Sequence, residues 1–169
     1  MSFSERYLNA LNFAAEKHKG QIRKGGEPYI THPKAVAEYL CQKGYSEDYQ
    51  LAGLFHDLLE DTDATEEEIL FYSSREVLKC VKLLTKKPGY DQKQYIQCIK
   101  NDPMAFEVKA ADRIHNLSCA YEASEEFRIK YIRESVQWYL DFSPEILILL
   151  KELASTLSIE LSEFPFLYD

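Results

Sequence analysis

The sequence predicts an all-α fold: a compact single domain of about eight or nine helices. Two observations carry that expectation. Apolar residues recur at helical spacing along most of the chain, while alternating β patterns are almost absent. The breakers are few, 6 Gly and 6 Pro, and they fall between the helical stretches. No internal repeat, low-complexity segment or long linker divides the 169 residues, so they read as one domain with a real core.

The elements follow in order. A first helix is expected from about Ser4 to Lys19, with Tyr7, Leu8, Leu11, Ala14 and Ala15 facing inward. Residues 20–31 form a loop containing Gly20, Gly25, Gly26 and Pro28. Pro33 suits the first turn of the next helix, whose inward face is Ala35, Val36, Tyr39 and Leu40. Ser46 with Glu47 and Asp48 opens the third, which carries LAGLFHDLLEDT at residues 51–62. Thr65 followed by three glutamates starts a short helix ending near Tyr72. Ser74 opens another, with Val77, Val81 and Leu84 on one side, and Lys86-Lys87-Pro88-Gly89 breaks it. Helices are then expected at about 91–100, 104–119, 125–141 and 145–157, the last opened by Ser143-Pro144-Glu145. Phe164, Phe166 and Leu167 are apolar and are expected to dock on the body or on a second subunit.

Bulk properties exclude several classes. The longest apolar run, Ile146 to Leu150, is far short of the roughly 20 residues that span a bilayer. The start MSFSERYLNA has no basic segment followed by an apolar one, so it does not read as a secretory signal, and a cytoplasmic location is expected. Cys41, Cys80, Cys98 and Cys119 form no CxxC pair and read as core thiols. A formal net charge of −8 argues against nucleic-acid binding. Local basic groups remain: four cations in residues 17–24, then Lys86 and Lys87, then Lys109 and Arg113. They fit either a small anionic ligand such as a phosphate compound or an ordinary lysine-bearing surface.

The chemistry concentrates at His56-Asp57, followed by Glu60-Asp61 on the same apolar stretch. Residues four apart share a helix face, which aligns His56 with Glu60 and Asp57 with Asp61. Four ionisable groups on a largely buried helix need partners, because burying unpaired charge is costly. A divalent cation is the simplest one. His32 upstream and Asp112 downstream complete a ligand set of two imidazoles and two carboxylates, suited to Mn²⁺, Fe²⁺, Co²⁺ or Zn²⁺ more than to Ca²⁺. Such an ion generates a nucleophile from water near neutral pH, and Glu60 and Asp61 are placed to take its proton or orient it. A lone histidine is more often a core or capping residue. His18 is read in that way, as a helix-end group interacting with the dipole, and His115 is left as core or pocket.

The segments HKGQIRKGGEPYITHP, LFHDLLEDT and VKAADRIHNL resemble those of the HD metal-dependent phosphohydrolase superfamily. More narrowly, they are similar to the alarmone hydrolase domains of the RelA/SpoT type and to small stand-alone alarmone hydrolases. The likeness runs from about residue 7 to residue 120 and leaves 121–169 as variable helices. It implies an HD-type helical bundle in which His32, His56, Asp57 and Asp112 bind one metal, most often Mn²⁺. It implies that Glu60 and Asp61 activate the attacking water. Arg23 and Lys24 would flank the nucleotide and its phosphates, and Asn116 would lie in the nucleoside pocket.

The reaction implied is removal of the 3′-pyrophosphate from guanosine tetra- or pentaphosphate, giving GDP or GTP. The partner is then a small nucleotide, with no nucleic acid and no membrane, and alarmone synthesis is not expected. Arg23 offers a planar fork of donors for phosphate oxygens. Lys86 and Lys87 either neutralise further charge or cap a solvated helix end. Tyr29 is expected to pack in its loop and order His32, and Tyr121 is a candidate border of a base cleft. Two alternatives stay open: hydrolysis of another phosphorylated nucleotide, including a dinucleotide cofactor, and a non-catalytic nucleotide-binding module.

Overall fold

In a computed structural model, which describes residues 3–163, the chain is helical and divides into two units. The first runs to Ala111 and the second begins at Asp112. The described residues contain no strand, only an isolated antiparallel bridge between Ile22 and Pro28.

The first unit holds α1 (Glu5–Lys17), α2 (Thr31–Gln42), α3 (Glu47–Phe55), α4 (Leu58–Asp61), α5 (Glu66–Tyr72), α6 (Arg75–Leu84) and α7 (Gln92–Lys100). It also holds the first part of α8 (Pro103–Cys119). The helix starts follow local chemistry. Ser4, Ser74 and Asp91 each accept a main-chain N–H of the first turn, satisfying donors that a helix start leaves open. Thr65 and Glu68 form a reciprocal capping box. Ser46 takes the N-cap position of α3 as expected, and its hydroxyl makes no capping bond.

The helix expected over residues 46–62 is divided in two. The chain turns at His56-Asp57, so the pair sits at the joint between α3 and α4. The turn stays tight, with the Asp61 N–H donating to the Asp57 carbonyl at 2.9 Å. The other helical stretches expected from the sequence each correspond to one helix.

The core of this unit centres on α3, where Leu51, Ala52, Leu54 and Phe55 are fully buried. α3 packs on α1, α2 and α6. Gly53 explains the tight approach of α2: a Cβ there would lie 3.1 Å from Leu40 Cδ1 and 3.2 Å from the Ala37 main-chain nitrogen. On α1 the inward face is Tyr7, Ala10 and Ala14, whereas Leu8, expected inside, is 45% exposed. The α1 stripe is narrower than the apolar pattern because an exposed leucine is no rarity at a helix flank.

The second unit contains the rest of α8, α9 (Glu125–Trp138), α10 (Pro144–Ser155) and short 3-10 turns at Ala120–Glu122 and Leu161–Glu163. Ser124 and Ser143 cap α9 and α10, and Pro144 occupies the first turn of α10. Ile132, Val136, Tyr139, Phe142, Ile146 and Leu150 form its core. Arg113 is buried among them at 4% exposure. Its guanidinium donates to Glu134 Oε1 at 3.0 Å and Ser135 Oγ at 3.2 Å, and lies 3.9 Å from the Tyr139 ring centre. Of the cysteines, Cys80 is buried as expected, and Cys98 is exposed on the outer face of α7. Phe164, Phe166 and Leu167 lie outside the described residues. No described helix is long and apolar enough to cross a membrane.

Candidate active site

The N-terminal turn of α2 and the α3–α4 joint bring three residues together. His32, His56 and Asp57 each offer a ligand atom, and these atoms lie within 4.8 Å of one another. Both histidines are buried, at 1% and 4% exposure. Asp57 Oδ2 is 3.0 Å from His56 Nε2 and 3.8 Å from His32 Nε2. Pro33 follows His32 within the first turn of α2, and the close α2–α3 approach at Gly53 holds the two histidine-bearing segments side by side.

One hydrogen bond decides what this cluster can hold. His56 Nδ1 lies 2.7 Å from the Gly53 carbonyl, which can only accept, so Nδ1 carries a proton. A neutral ring then presents the Nε2 lone pair to a carboxylate oxygen at 3.0 Å. Two acceptors at that distance repel unless a cation lies with them, either a second proton on the ring or a metal ion. An imidazole oriented through its other nitrogen by a carbonyl is the usual arrangement of a metal-ligating histidine. The nitrogen and oxygen donors therefore fit a divalent transition metal.

A second group overlaps the first. Asp57, Glu60 and Asp61 also place one oxygen each within 4.8 Å of one another. Glu60 and Asp61 are exposed, while Asp57 is half-buried. Desolvation raises the Glu60 carboxyl above its ordinary value; the Lys86 N–H opposes this, and the charges of Asp57 and Asp61 add to it. Asp61 is raised by desolvation and by Asp57. Helical spacing alone places His56 and Glu60 on one face. The turn at residues 56–57 instead turns His56 toward His32 and groups Glu60 with the other carboxylates.

Three supports were not legible from motif spacing. Tyr29 donates its hydroxyl to Asp57 Oδ2 at 2.5 Å, in addition to packing beside His32 at 5.9 Å between ring centres. The Lys86 main-chain N–H donates to Glu60 Oε1 at 2.6 Å. That bond draws the loop after α6 to the site, where a groove of about 660 Å³ is lined by Glu60, Glu66, Lys86, Lys87 and Tyr90. The Lys86 ammonium lies over the Tyr90 and Tyr95 rings, so the direct bond to Glu60 comes from its main chain, while its charge also acts to lower the Glu60 pKa. His18 is the third. It is the C-cap of α1, and it is 2% exposed, with burial holding its imidazole below the usual value. It therefore takes the helix-end position expected of it from the sequence.

With this geometry in view, the chain matches the HD domain family over residues 10–143. The chain belongs to the HD domain family. Its relatives include the guanosine-3′,5′-bis(diphosphate) 3′-pyrophosphohydrolase of Aquifex aeolicus, 38% identical over 80% of this chain and 21% of the relative. The bifunctional (p)ppGpp synthase/hydrolase SpoT of Escherichia coli is 33% identical, over 80% of this chain and 21% of its own length. A GTP pyrophosphokinase of Myxococcus xanthus is 32% identical over 94% of this chain and 22% of the relative. The HD domain chain thus spans about a fifth of each of these proteins. Among solved structures it is similar to a metazoan SpoT ortholog described as hydrolysing ppGpp. The TM-score is 0.75 at 23% identity, covering 95% of this chain and 99% of that one, and this likeness shows the fold.

The remaining site residues expected in this HD domain are placed as follows. Arg23 and Lys24 lie in the loop before α2, half-buried and exposed respectively. That loop closes by Arg23 N–H to Glu27 O at 2.8 Å and Gly26 N–H to Arg23 O at 2.9 Å, with Gly26 at φ +92°, where a side chain would be strained. Asp112 and Asn116 belong to the second unit, one turn apart on α8. Asp112 is 6% exposed and accepts the Asn116 amide at 2.7 Å. His115 is half-buried, with Nε2 at 3.8 Å from Cys119 Sγ, and Tyr121 is 61% exposed.

Proposed function

We propose that the protein is a metal-dependent hydrolase that removes the 3′-pyrophosphate from guanosine 3′,5′-bis(diphosphate) and its pentaphosphate analogue. The observation that carries this reading is the His32–His56–Asp57 cluster, with His56 oriented by the Gly53 carbonyl and its Nε2 turned to Asp57. Membership in the HD domain family and the names of the relatives supply the reaction class and substrate. Asp112 is the proposed fourth ligand, and Mn²⁺ the proposed metal. The family match runs through both units, which supports reading the chain as one functional domain. A cytoplasmic protein acting on a small nucleotide, without nucleic-acid or membrane partners, fits the net charge of −8 and the absence of a membrane-spanning helix among the described residues.

A bound divalent cation supplies Lewis-acid polarisation and brings the pKa of water near neutrality. The chain does the rest. Tyr29 holds Asp57 by donating its hydroxyl to Oδ2, the oxygen that faces the two histidines. Glu60, held by the Lys86 N–H and with its carboxyl raised, is suited to accept a proton from the attacking water. Asp61, beside it in the carboxylate group, orients the same water. Arg23 and Lys24 hold phosphate oxygens, the first by two-point contacts, and Asn116 contacts the nucleoside.

The test is product analysis. Metal-stripped protein is incubated with guanosine 3′,5′-bis(diphosphate) with and without Mn²⁺, and nucleotides, pyrophosphate and phosphate are assayed separately. Mn²⁺-dependent GDP with equimolar pyrophosphate is the expected result. Phosphate in place of pyrophosphate, or no turnover with metal bound, would defeat the reading.

A further inference from the structure

We propose that His18 is a positioning residue of this site, fixing the Gln21 amide that holds the end of α4 and seating the Tyr29 ring that serves Asp57. The inference rests on the reading of the site given above and adds a residue that lies outside the ligand and acid sets.

The Asp61 carbonyl ends a helix of four residues, where main-chain acceptors have no partner within the helix. Gln21 Nε2 lies 2.8 Å from that oxygen. A carbonyl only accepts, so the Gln21 atom facing it is the amide NH₂, and Oε1 faces the other way. Oε1 lies 2.8 Å from His18 Nδ1. It too only accepts, so His18 carries its proton on Nδ1. The chain of donors therefore runs in one direction, from His18 through Gln21 to Asp61.

A helix as short as α4 has little stability of its own. Its placement sets Glu60 and Asp61, so the tether at Asp61 matters more than one surface hydrogen bond would. The second arm is the Tyr29 ring, 4.8 Å from the His18 ring between centres, whose hydroxyl reaches Asp57. Main-chain bonds lock the three residues together: Gln21 N–H to His18 O at 3.0 Å and Tyr29 N–H to Gln21 O at 2.9 Å. His18 Nε2 is buried and has no hydrogen-bond partner among the described residues. A residue present only to fill the core gains nothing from that buried acceptor. The Nδ1 side is the part in use.

This logic makes the conservative variants unequal. The amide nitrogen of asparagine occupies the place of Nδ1, and that of glutamine the place of Nε2. H18A, H18N, H18Q and Q21E are compared for kcat, KM and Mn²⁺ affinity, with thermal unfolding measured alongside. H18A and H18Q are expected to lower kcat about 10- to 100-fold with little change in KM, and H18N, which restores the donor to Gln21 but not the ring beside Tyr29, to fall less, within about tenfold of wild type. Q21E keeps the acceptor for His18 but loses the donor to Asp61, so it is expected to fall like H18A. Should H18A fail to fold, the H18N and H18Q pair still decides. An active H18Q beside an inactive H18N would overturn the proposal by making Nε2 the working atom. Equal kcat in all variants, with only the melting temperature moved, would reduce His18 to packing.

If the wild type does not turn over the alarmone, the substrate reading fails by itself. The proposal is then read from long-range ¹H–¹⁵N spectra, which are expected to show His18 protonated on Nδ1 alone in wild type. It is also read from Mn²⁺ affinity, expected to drop about tenfold in H18A and less in H18N. An Nε2-protonated His18 would overturn it.

Discussion

Two clusters of buried ionisable groups, one in each unit, are built on opposite principles. Around Arg113 the charge is enclosed by matching partners: a carboxylate and a hydroxyl accept its protons, and the Tyr131 and Tyr139 ring centres lie 4.3 and 3.9 Å away. Around His56 the groups are alike rather than complementary. An imidazole lone pair, a second imidazole and a carboxylate converge, and two further carboxylates stand beside them. In the first, the cation already has its counter-charge, although its Nε is buried without a hydrogen-bond partner among the described residues. The second needs a cation to be stable. The difference separates a structural charge from a candidate catalytic one better than burial does, since Arg113 and His56 are equally buried at 4% exposure.

The largest effect is expected where the convergent cluster loses its shared member. Asp57→Ala removes the carboxylate common to both groups and is expected to abolish metal binding and lower turnover about 10³-fold or more. Metal content by mass spectrometry with activity on the alarmone checks it, and full metal occupancy would refute the assignment. Glu60→Gln keeps the shape and removes the base. It is expected to bind metal normally while kcat falls about 10²- to 10⁴-fold, and near-normal turnover would remove Glu60 from proton transfer.

The enclosed cluster should respond in stability. Arg113→Ala leaves Glu134 without its guanidinium and two tyrosine rings without their cation. A loss of about 2–4 kcal/mol is expected in denaturant unfolding. A smaller loss is expected from Gly53→Ala, whose new methyl would press on the α2 main chain at Ala37. Overpacking of this kind costs about 1–3 kcal/mol. Because the strain falls between the segments bearing His32 and His56, Mn²⁺ affinity should fall with it. Unchanged affinity would show that the α2–α3 approach does not tune the site.

The same contrast explains what the sequence made legible. Helix starts at Ser4, Thr65, Ser74 and Ser143 follow from side chains that bond their own neighbours, so local sequence suffices. His32, His56 and Asp57 were legible because their residue types on an apolar background need a shared partner. The turn at residues 56–57 was not, because an apolar run with helical spacing looks the same whether one helix or two carries it. His18, Tyr29 and Lys86 were only half-legible for a related reason. Each acts on a group distant in sequence: His18 on Asp61 through its near neighbour Gln21, Tyr29 on Asp57, and Lys86 on Glu60. The Lys86 contribution is a main-chain N–H, which any residue but proline offers and no side-chain pattern announces.

The smallest effect is one of pH, and it tests the same cluster without substrate. In the metal-free protein Glu60 and Asp61 have carboxyls raised above their ordinary values, with desolvation the first cause for each. The folded state therefore binds protons more tightly than the unfolded chain at these two positions. Stability from this source is fully present below the ordinary carboxylate pKa and is lost as pH rises through the raised values. Metal-free protein should thus lose a little melting temperature across that window, since both groups are solvent-exposed and screened. Saturating Mn²⁺ should offset the loss, because a cation favours the charged carboxylates. Glu60→Gln should flatten the metal-free slope, whereas Arg113→Ala should lower the whole curve without changing its slope in this window. A metal-free slope of the opposite sign would mean that the carboxylates are stabilised as anions by the protein alone, and the two clusters would no longer differ in kind.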